Sequence, residues 1–367
     1  MKEICFLHIG TAKTGTTSIQ NFMATNRSGL QEQGIIYPRA PGKQNHAALA
    51  AYALKDGGPG KKHSRVLSFL EMPKFREELS SELDRELRDS DASIIVFSSE
   101  QFTSPQLTES AIERAADFCA GYASRTKIIV YLREQTDFLV SFRGHNIKGG
   151  ATRRFPFRVG AGIIRMMDYA ALLEPWRKIF GRENMIVRRF VPADFMEGDL
   201  LSDFAAQIPF DASGFFRPEP RNEALGAREL AFLRAFNARV PRWIDGKKNP
   251  ARRNLIAALA RFNDSGRRLT VSPEIAQAVA SQFEESNRRV SEEYFGGKWQ
   301  PLFPAPQLVS DTDVNVLLDL SVDDAMDIAC RLWSDQELRL QELEEGRTGR
   351  RAIDPETEAI EPETQLD

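Results

Sequence analysis

The chain has 367 residues, 42% of them hydrophobic and 28% charged, enough to bury a large core in one extended α/β domain or in two. A formal net charge of -3 excludes a global basic field of the kind that draws nucleic acid, so only local patches matter. Three cysteines without C-x-x-C spacing and four scattered histidines exclude the usual zinc patterns, and no uncharged apolar run reaches the roughly 18 residues of a membrane span.

Cys5, Cys119 and Cys330 each sit among apolar residues and read as reduced core thiols. The chain enters its first strand almost at once, with no basic segment followed by a long apolar one, and the expectation is a cytoplasmic protein.

Ile4 to Leu7 is a short apolar run that reads as a buried strand. The Gly- and Thr-rich turn after it, within ICFLHIGTAKTGTTS, opens into a helical pattern. Gly10 and Gly15 let backbone N–H groups converge on an anion, Thr14, Thr16, Thr17 and Ser18 add hydroxyls at the positive end of the helix, and Lys13 supplies a mobile charge. The order differs from G-x-x-x-x-G-K-[ST], because Thr16 stands where that motif has its lysine.

Ile19, Phe22, Met23 and Leu30 form the buried stripe of one helix ended by Gly34, and Ile35 to Tyr37 makes a short strand stopped by Pro38. The spacing predicts a helix over 47–54, capped by Asn45 and His46, and an amphipathic helix over 75–87. SIIVFS (93–98) and KIIVYL (127–132) are further apolar strands, with a helix over 111–122 between them. Strands apolar on both faces that alternate with helices describe a parallel sheet covered on both sides. In such a sheet the ligand crevice lies outside the carboxyl ends of the strands, where the phosphate loop, Glu100 and Arg133 all fall.

A helix over 163–179 and a strand over 185–190 follow, and beyond Pro218 the chain turns helical, over 227–237, 255–262, 276–294 and 322–343. Arg242, Lys247, Lys248, Arg252 and Arg253 mark a basic, turn-rich stretch between them. The expected organisation is a P-loop-like α/β core over 1–218, a helical part over 219–345 packed on it, and a polar, acid-rich disordered tail over 346–367.

After Leu132 comes REQTDFLVSFRGH, in which Arg133, Asp137, Ser141 and His145 recur every four residues and form one polar stripe on a helix. The order K-T-G-T-T-S in the first loop resembles the 5'-phosphosulfate loop of sulfotransferases, the enzymes that use 3'-phosphoadenosine 5'-phosphosulfate. The Arg133 segment resembles their R-x-P-x-D-x-x-x-S element, with Gln135 in place of the proline. That resemblance implies a P-loop-like fold and in-line transfer of a sulfuryl group without a metal. It also implies that Lys13 acts at the leaving bisphosphate and that Arg133 and Ser141 hold the 3'-phosphate. Asn222, and FEESNRRVSEEYFGG with Phe283, Asn287 and Tyr294, look like features of bacterial carbohydrate-type members, which implies a glycan or small-molecule hydroxyl acceptor.

Glu100, directly after the second long strand, is the candidate general base, and His46 is its rival. His8 reads as a core histidine bonded to backbone, and His145 as a group that orients the stripe. Lys61, Lys62, Arg65, Lys148, Arg153 and Arg154 could form a basic acceptor rim or a solvated charged face. Two other readings stay open: an ATP- and Mg²⁺-dependent kinase with Glu100 near the metal, and a nucleotide-binding interaction module without turnover.

Overall fold

The computed structural model describes residues 1–54, 69, 72–105, 107–153, 161–218, 225–261, 269–297, 300–305 and 320–351. Lys61, Lys62, Arg65, Arg154 and Asn222 lie outside the described residues, as does the expected tail beyond 351.

Five strands, β1 (Lys2–His8), β2 (Ile35–Ile36), β3 (Ile94–Ser98), β4 (Ala123–Leu132) and β5 (Met185–Arg189), form a parallel sheet in the order β2-β3-β1-β4-β5. Cys5 pairs with Ile95 on one side and Thr126 on the other, so β1 is central. Alternation along the strands feeds two cores. Cys5, Leu7, Ile95, Phe97, Ile128 and Val130 face α3 (Ala47–Ala53), α4 (Phe75–Arg88), α5 (Glu109–Ala120) and α8 (Tyr169–Phe180). Ile4, Phe6, Ile94, Val96, Ile129 and Tyr131 face α1 (Thr16–Thr25), α2 (Arg27–Glu32) and α9 (Leu200–Ala206). Both faces are therefore covered, as an all-parallel sheet requires, and the chain is α/β with a P-loop-like core sheet and a helical C-terminal region.

The remaining helices are α6 (Gln135–Lys148), α7 (Ala161–Met167), α10 (Ala227–Asn237), α11 (Pro250–Arg261), α12 (Pro273–Tyr294) and α13 (Val322–Arg351). Residues 346–351, expected as tail, are the last turns of α13.

Three local departures from the sequence reading have side-chain causes. The helix expected from Thr17 to Gly34 breaks at Asn26, whose amide donates to the Phe22 and Phe216 carbonyls and whose Oδ1 accepts from Phe216 N. The helix expected over 163–179 breaks at Asp168, which caps Ala171 N and accepts from Ser286 Oγ. The helix α9, not foreseen, starts where Asp199 caps Ser202 N. Cys330 also departs from expectation: it is exposed on α13, while Cys5 and Cys119 are buried in one core, where burial pushes the Cys5 thiol well above its ordinary range.

By packing, the chain divides into two compact units. One comprises Met1–Arg143, Phe155–Glu223 and Thr270–Asp313, and the other comprises Gly144–Arg154, Ala224–Leu269 and Val314–Asp367. In the first, α12 lies on α8, with Phe283 beside Phe138, Leu139 and Met167. In the second, Asn237 donates to the carbonyls of Ile147 and Ala151, Arg252 donates to Asn237 Oδ1, and Arg228 pairs with Asp324 and Asp327.

Candidate functional site

Because all five strands are parallel, their carboxyl ends share one edge, and β1, β3, β4 and β5 deliver Gly10, Glu100, Arg133 and Phe190 there. The loop from Gly10 to Gly15 is tightly wound. Gly10 has φ +67° and Gly15 φ +72°, and a Cβ on Gly10 would stand 3.0 Å from both Cα and Cβ of Glu100. The loop thus lies directly against the residue that follows β3.

Lys13 is the third left-handed residue of the loop, at φ +72°, a conformation that costs a side-chain-bearing residue about 1–2 kcal/mol. Its carbonyl accepts a hydrogen bond of 2.8 Å from Arg133 Nη1. The arginine after β4 is therefore joined to the glycine-rich loop after β1. Its guanidinium also lies 5.4 Å from the Phe190 ring centre and 3.8 Å from Asp137, an exposed partner that contributes little. Tyr169 Oη donates to the Arg133 carbonyl and holds the strand end from below.

The hydroxyls sort differently from the sequence reading. Thr14 is fully buried and its Oγ1 donates to the Thr11 carbonyl at 2.7 Å, while Thr11 Oγ1 donates to the Tyr131 carbonyl at 2.8 Å. Thr14 therefore braces the loop, and its hydroxyl is not offered to a ligand. Thr16 is buried with its methyl toward Gly10, and Thr17 and Ser18 are exposed. Gly15 caps α1 without a side-chain bond, and as the first amides of the helix those of Thr16 and Thr17 have no acceptor within it.

Glu100 is held by two amides on one oxygen: Gln20 Nε2 at 2.9 Å and Asn45 Nδ2 at 2.7 Å both donate to Oε2. Asn45 is itself oriented by Ser99, whose Oγ donates to Asn45 Oδ1 at 2.9 Å. Among the described residues no donor reaches Oε1. The sequence had set Asn45 beside His46 and passed over Gln20, which with Thr16 and Asn21 is a buried polar residue of α1.

His46 is fully buried and both ring nitrogens are engaged. Nδ1 accepts from Ser98 N at 3.1 Å and Nε2 donates to the Pro38 carbonyl at 2.9 Å, a neutral tautomer fixed by its two partners. Burial lowers its pKa to about 3. Tilted against the Tyr37 ring and edge-on to Phe97, it pins the loop after β2 to β3, and this rival base is a structural histidine. It makes no side-chain cap on α3.

His8 is also buried, and its Nδ1 meets Ser98 Oγ at 2.8 Å, a side chain where backbone had been expected; burial lowers its pKa to about 3 as well. Ser141 is half-buried on α6, two turns beyond Arg133. His145 is exposed on the part of α6 assigned to the second unit, which also holds Lys148 and Arg153. Gln135, at the proline position of the resembled element, is buried and exchanges two amide bonds with Asn287 of α12, at 2.7 and 3.1 Å. Two features noted far apart in the sequence thus form one contact.

No family model matches the chain. A relative from Archaeoglobus fulgidus, itself described as uncharacterized, is 29% identical over 184 residues, 48% of this chain and 47% of its own. The chain therefore aligns with about half the length of that curated relative. Among solved structures, the sulfotransferase from Alicyclobacillus acidocaldarius is similar at 14% identity and a TM-score of 0.41, over 79% of this chain and 94% of that one. A likeness of that degree carries no argument, and the fold rests on the strand order itself. Among the described residues no helix is long and apolar enough to cross a membrane.

Proposed function

We propose that the chain is a sulfotransferase that moves the sulfuryl group of 3'-phosphoadenosine 5'-phosphosulfate to a hydroxyl acceptor, with a carbohydrate as the acceptor class. The observation that carries this reading is the hydrogen bond from Arg133 to the Lys13 carbonyl, which couples two elements of the phosphate-binding kind at one strand edge. A donor with phosphates at both ends of a ribose needs two such elements in one crevice. A glycine loop at a helix start suits one anion, and arginine, with donors that engage two oxygens together, suits a second.

In this reading Lys13 and the amides at the start of α1 take the 5'-phosphosulfate end, while Arg133 and Ser141 take the 3'-phosphate. Glu100, with Oε2 fixed by Gln20 and Asn45, uses Oε1 to accept the acceptor's proton. As the acceptor oxygen bonds to sulfur, the bond from sulfur to the bridging phosphate oxygen breaks. The charge that develops on that oxygen meets Lys13 and the helix amides. No metal takes part in this proposal.

The test is calorimetric titration of the whole chain with adenosine 3',5'-bisphosphate, beside adenosine 5'-phosphate and ATP with Mg²⁺. Selective, metal-independent binding of the 3',5'-bisphosphate is expected. Arg133→Ala should weaken it by about 10-fold or more, the loss of one charge-assisted contact. Preference for ATP with Mg²⁺ would replace sulfuryl by phosphoryl transfer, and unchanged affinity in Arg133→Ala would remove the 3'-phosphate assignment.

A further inference from the structure

The helix α13 carries two apolar stripes, and among the described residues only one of them is packed against another element. Ala325, Ile328 and Leu332 lie on the side that packs on α10 and α11, where Arg228 pairs with Asp324 and Asp327 and Arg261 pairs with Asp335. Roughly a quarter of the way round the helix, Val322, Met326, Trp333, Leu340 and Leu343 are between 46 and 78% exposed. Together with Ala329 and Gln336 these residues alternate in steps of four and three, the seam of a two-stranded coiled coil sustained for about three heptads. Solvent-exposed single apolar residues are ordinary, but five large ones in heptad register on one helix are a binding surface.

We propose that this seam pairs with the same seam of a second copy of the chain, as a parallel, in-register coiled coil. The flanking charges select that occupant and that direction. With Met326, Trp333 and Leu340 at the first core position, Arg339, an exposed side chain that within the chain lies 3.3 Å from Asp335, flanks the seam on one side, and Glu337 and Glu344 flank it on the other. Parallel pairing brings Arg339 of each copy against Glu344 of the other, five residues on, twice by symmetry. Antiparallel pairing over the same stretch sets Arg339 against Ala325 or Leu332 and Glu337 against Cys330, with no opposite charges meeting. The seam is therefore complementary to itself in one orientation. Gln336, the single polar core residue, meets its own copy only in register, which disfavours slipped pairings.

Sedimentation equilibrium of the full chain tests the proposal. A dimer is expected, with Trp333→Glu/Leu340→Glu monomeric and still folded by circular dichroism, since both side chains are exposed in the single chain. For direction, Leu343→Cys is made with Cys330→Ser. In a parallel pair the two new thiols face each other and cross-link on mild oxidation, whereas in an antiparallel pair they stand about 30 Å apart. A wild type that stays monomeric at every soluble concentration overturns the proposal, as does a double variant that dimerises as before. A dimer whose residue-343 thiols do not cross-link overturns the parallel pairing.

Discussion

Lys13 combines a left-handed backbone with the one lysine of the loop after β1, and the fold holds it there through the Arg133 bond to its carbonyl. Strain that persists at a charged residue on the carboxyl edge of the sheet points to function, because a glycine would adopt the same angles without cost. Lys13→Gly is therefore expected to leave stability unchanged or raise it by up to about 1 kcal/mol, while transfer falls on the order of 10² or more with loss of the charge on the leaving group. Urea melts beside single-turnover assays would separate the two effects, and near-normal transfer would exclude the assigned role. Glu100→Gln should lower transfer by about 10²–10⁴ without changing affinity for the 3',5'-bisphosphate, because it removes the proton acceptor and keeps the shape. Equal losses of donor binding and of transfer would instead make Glu100 a support for the loop.

At the scale of elements, the junctions between strands and helices carry the site. A Cβ on Gly15 would stand 2.2 Å from Leu200 Cδ2 of α9 and force a residue with φ +72° out of its preferred range. Gly15→Ala should cost about 1–3 kcal/mol in chemical unfolding, with the start of α1 displaced and donor affinity reduced in step. The N-terminus of α6 has a different anchor, the reciprocal amide pair of Gln135 and Asn287. A double-mutant cycle of Gln135→Ala and Asn287→Ala should show a coupling of about 1 kcal/mol, and additive losses would mean that the pair does not act as a unit. This contact explains how α6 tolerates glutamine at the position where the resembled element has proline: the side chain docks the helix start on α12.

For the whole molecule, two buried neutral histidines, His8 at the end of β1 and His46 before α3, make stability fall in acid. His8 and His46 both have pKa values lowered to about 3 by burial, so below the ordinary histidine value the unfolded chain takes up protons that the folded chain refuses. Stability is therefore full above that value and is lost as pH falls toward 3. Each histidine should contribute about 2 kcal/mol of loss between pH 7 and pH 5, to order of magnitude. Unfolding free energies measured across that range in wild type and His46→Gln should differ in slope, the variant being flatter; identical slopes would mean that His46 is protonated in the folded state.

The parallel sheet, its two apolar faces and the glycine-rich loop at a strand end were legible from the sequence because each is written in neighbouring residues. Runs such as SIIVFS and KIIVYL and the turn GTAKTGTTS need no distant partner to declare strand and loop. The breaks at Asn26 and Asp168, the spent hydroxyl of Thr14, the capture of His46 between Pro38 and Ser98, and the two amides on Glu100 were decided only by tertiary structure. Asn26 answers to Phe216, Gln20 to a residue 80 positions on, and Gln135 to one 152 positions on. Local pattern names the residue types that can bind an anion or take a proton. Which of them remain available is decided by the hydrogen bonds that burial obliges the others to make.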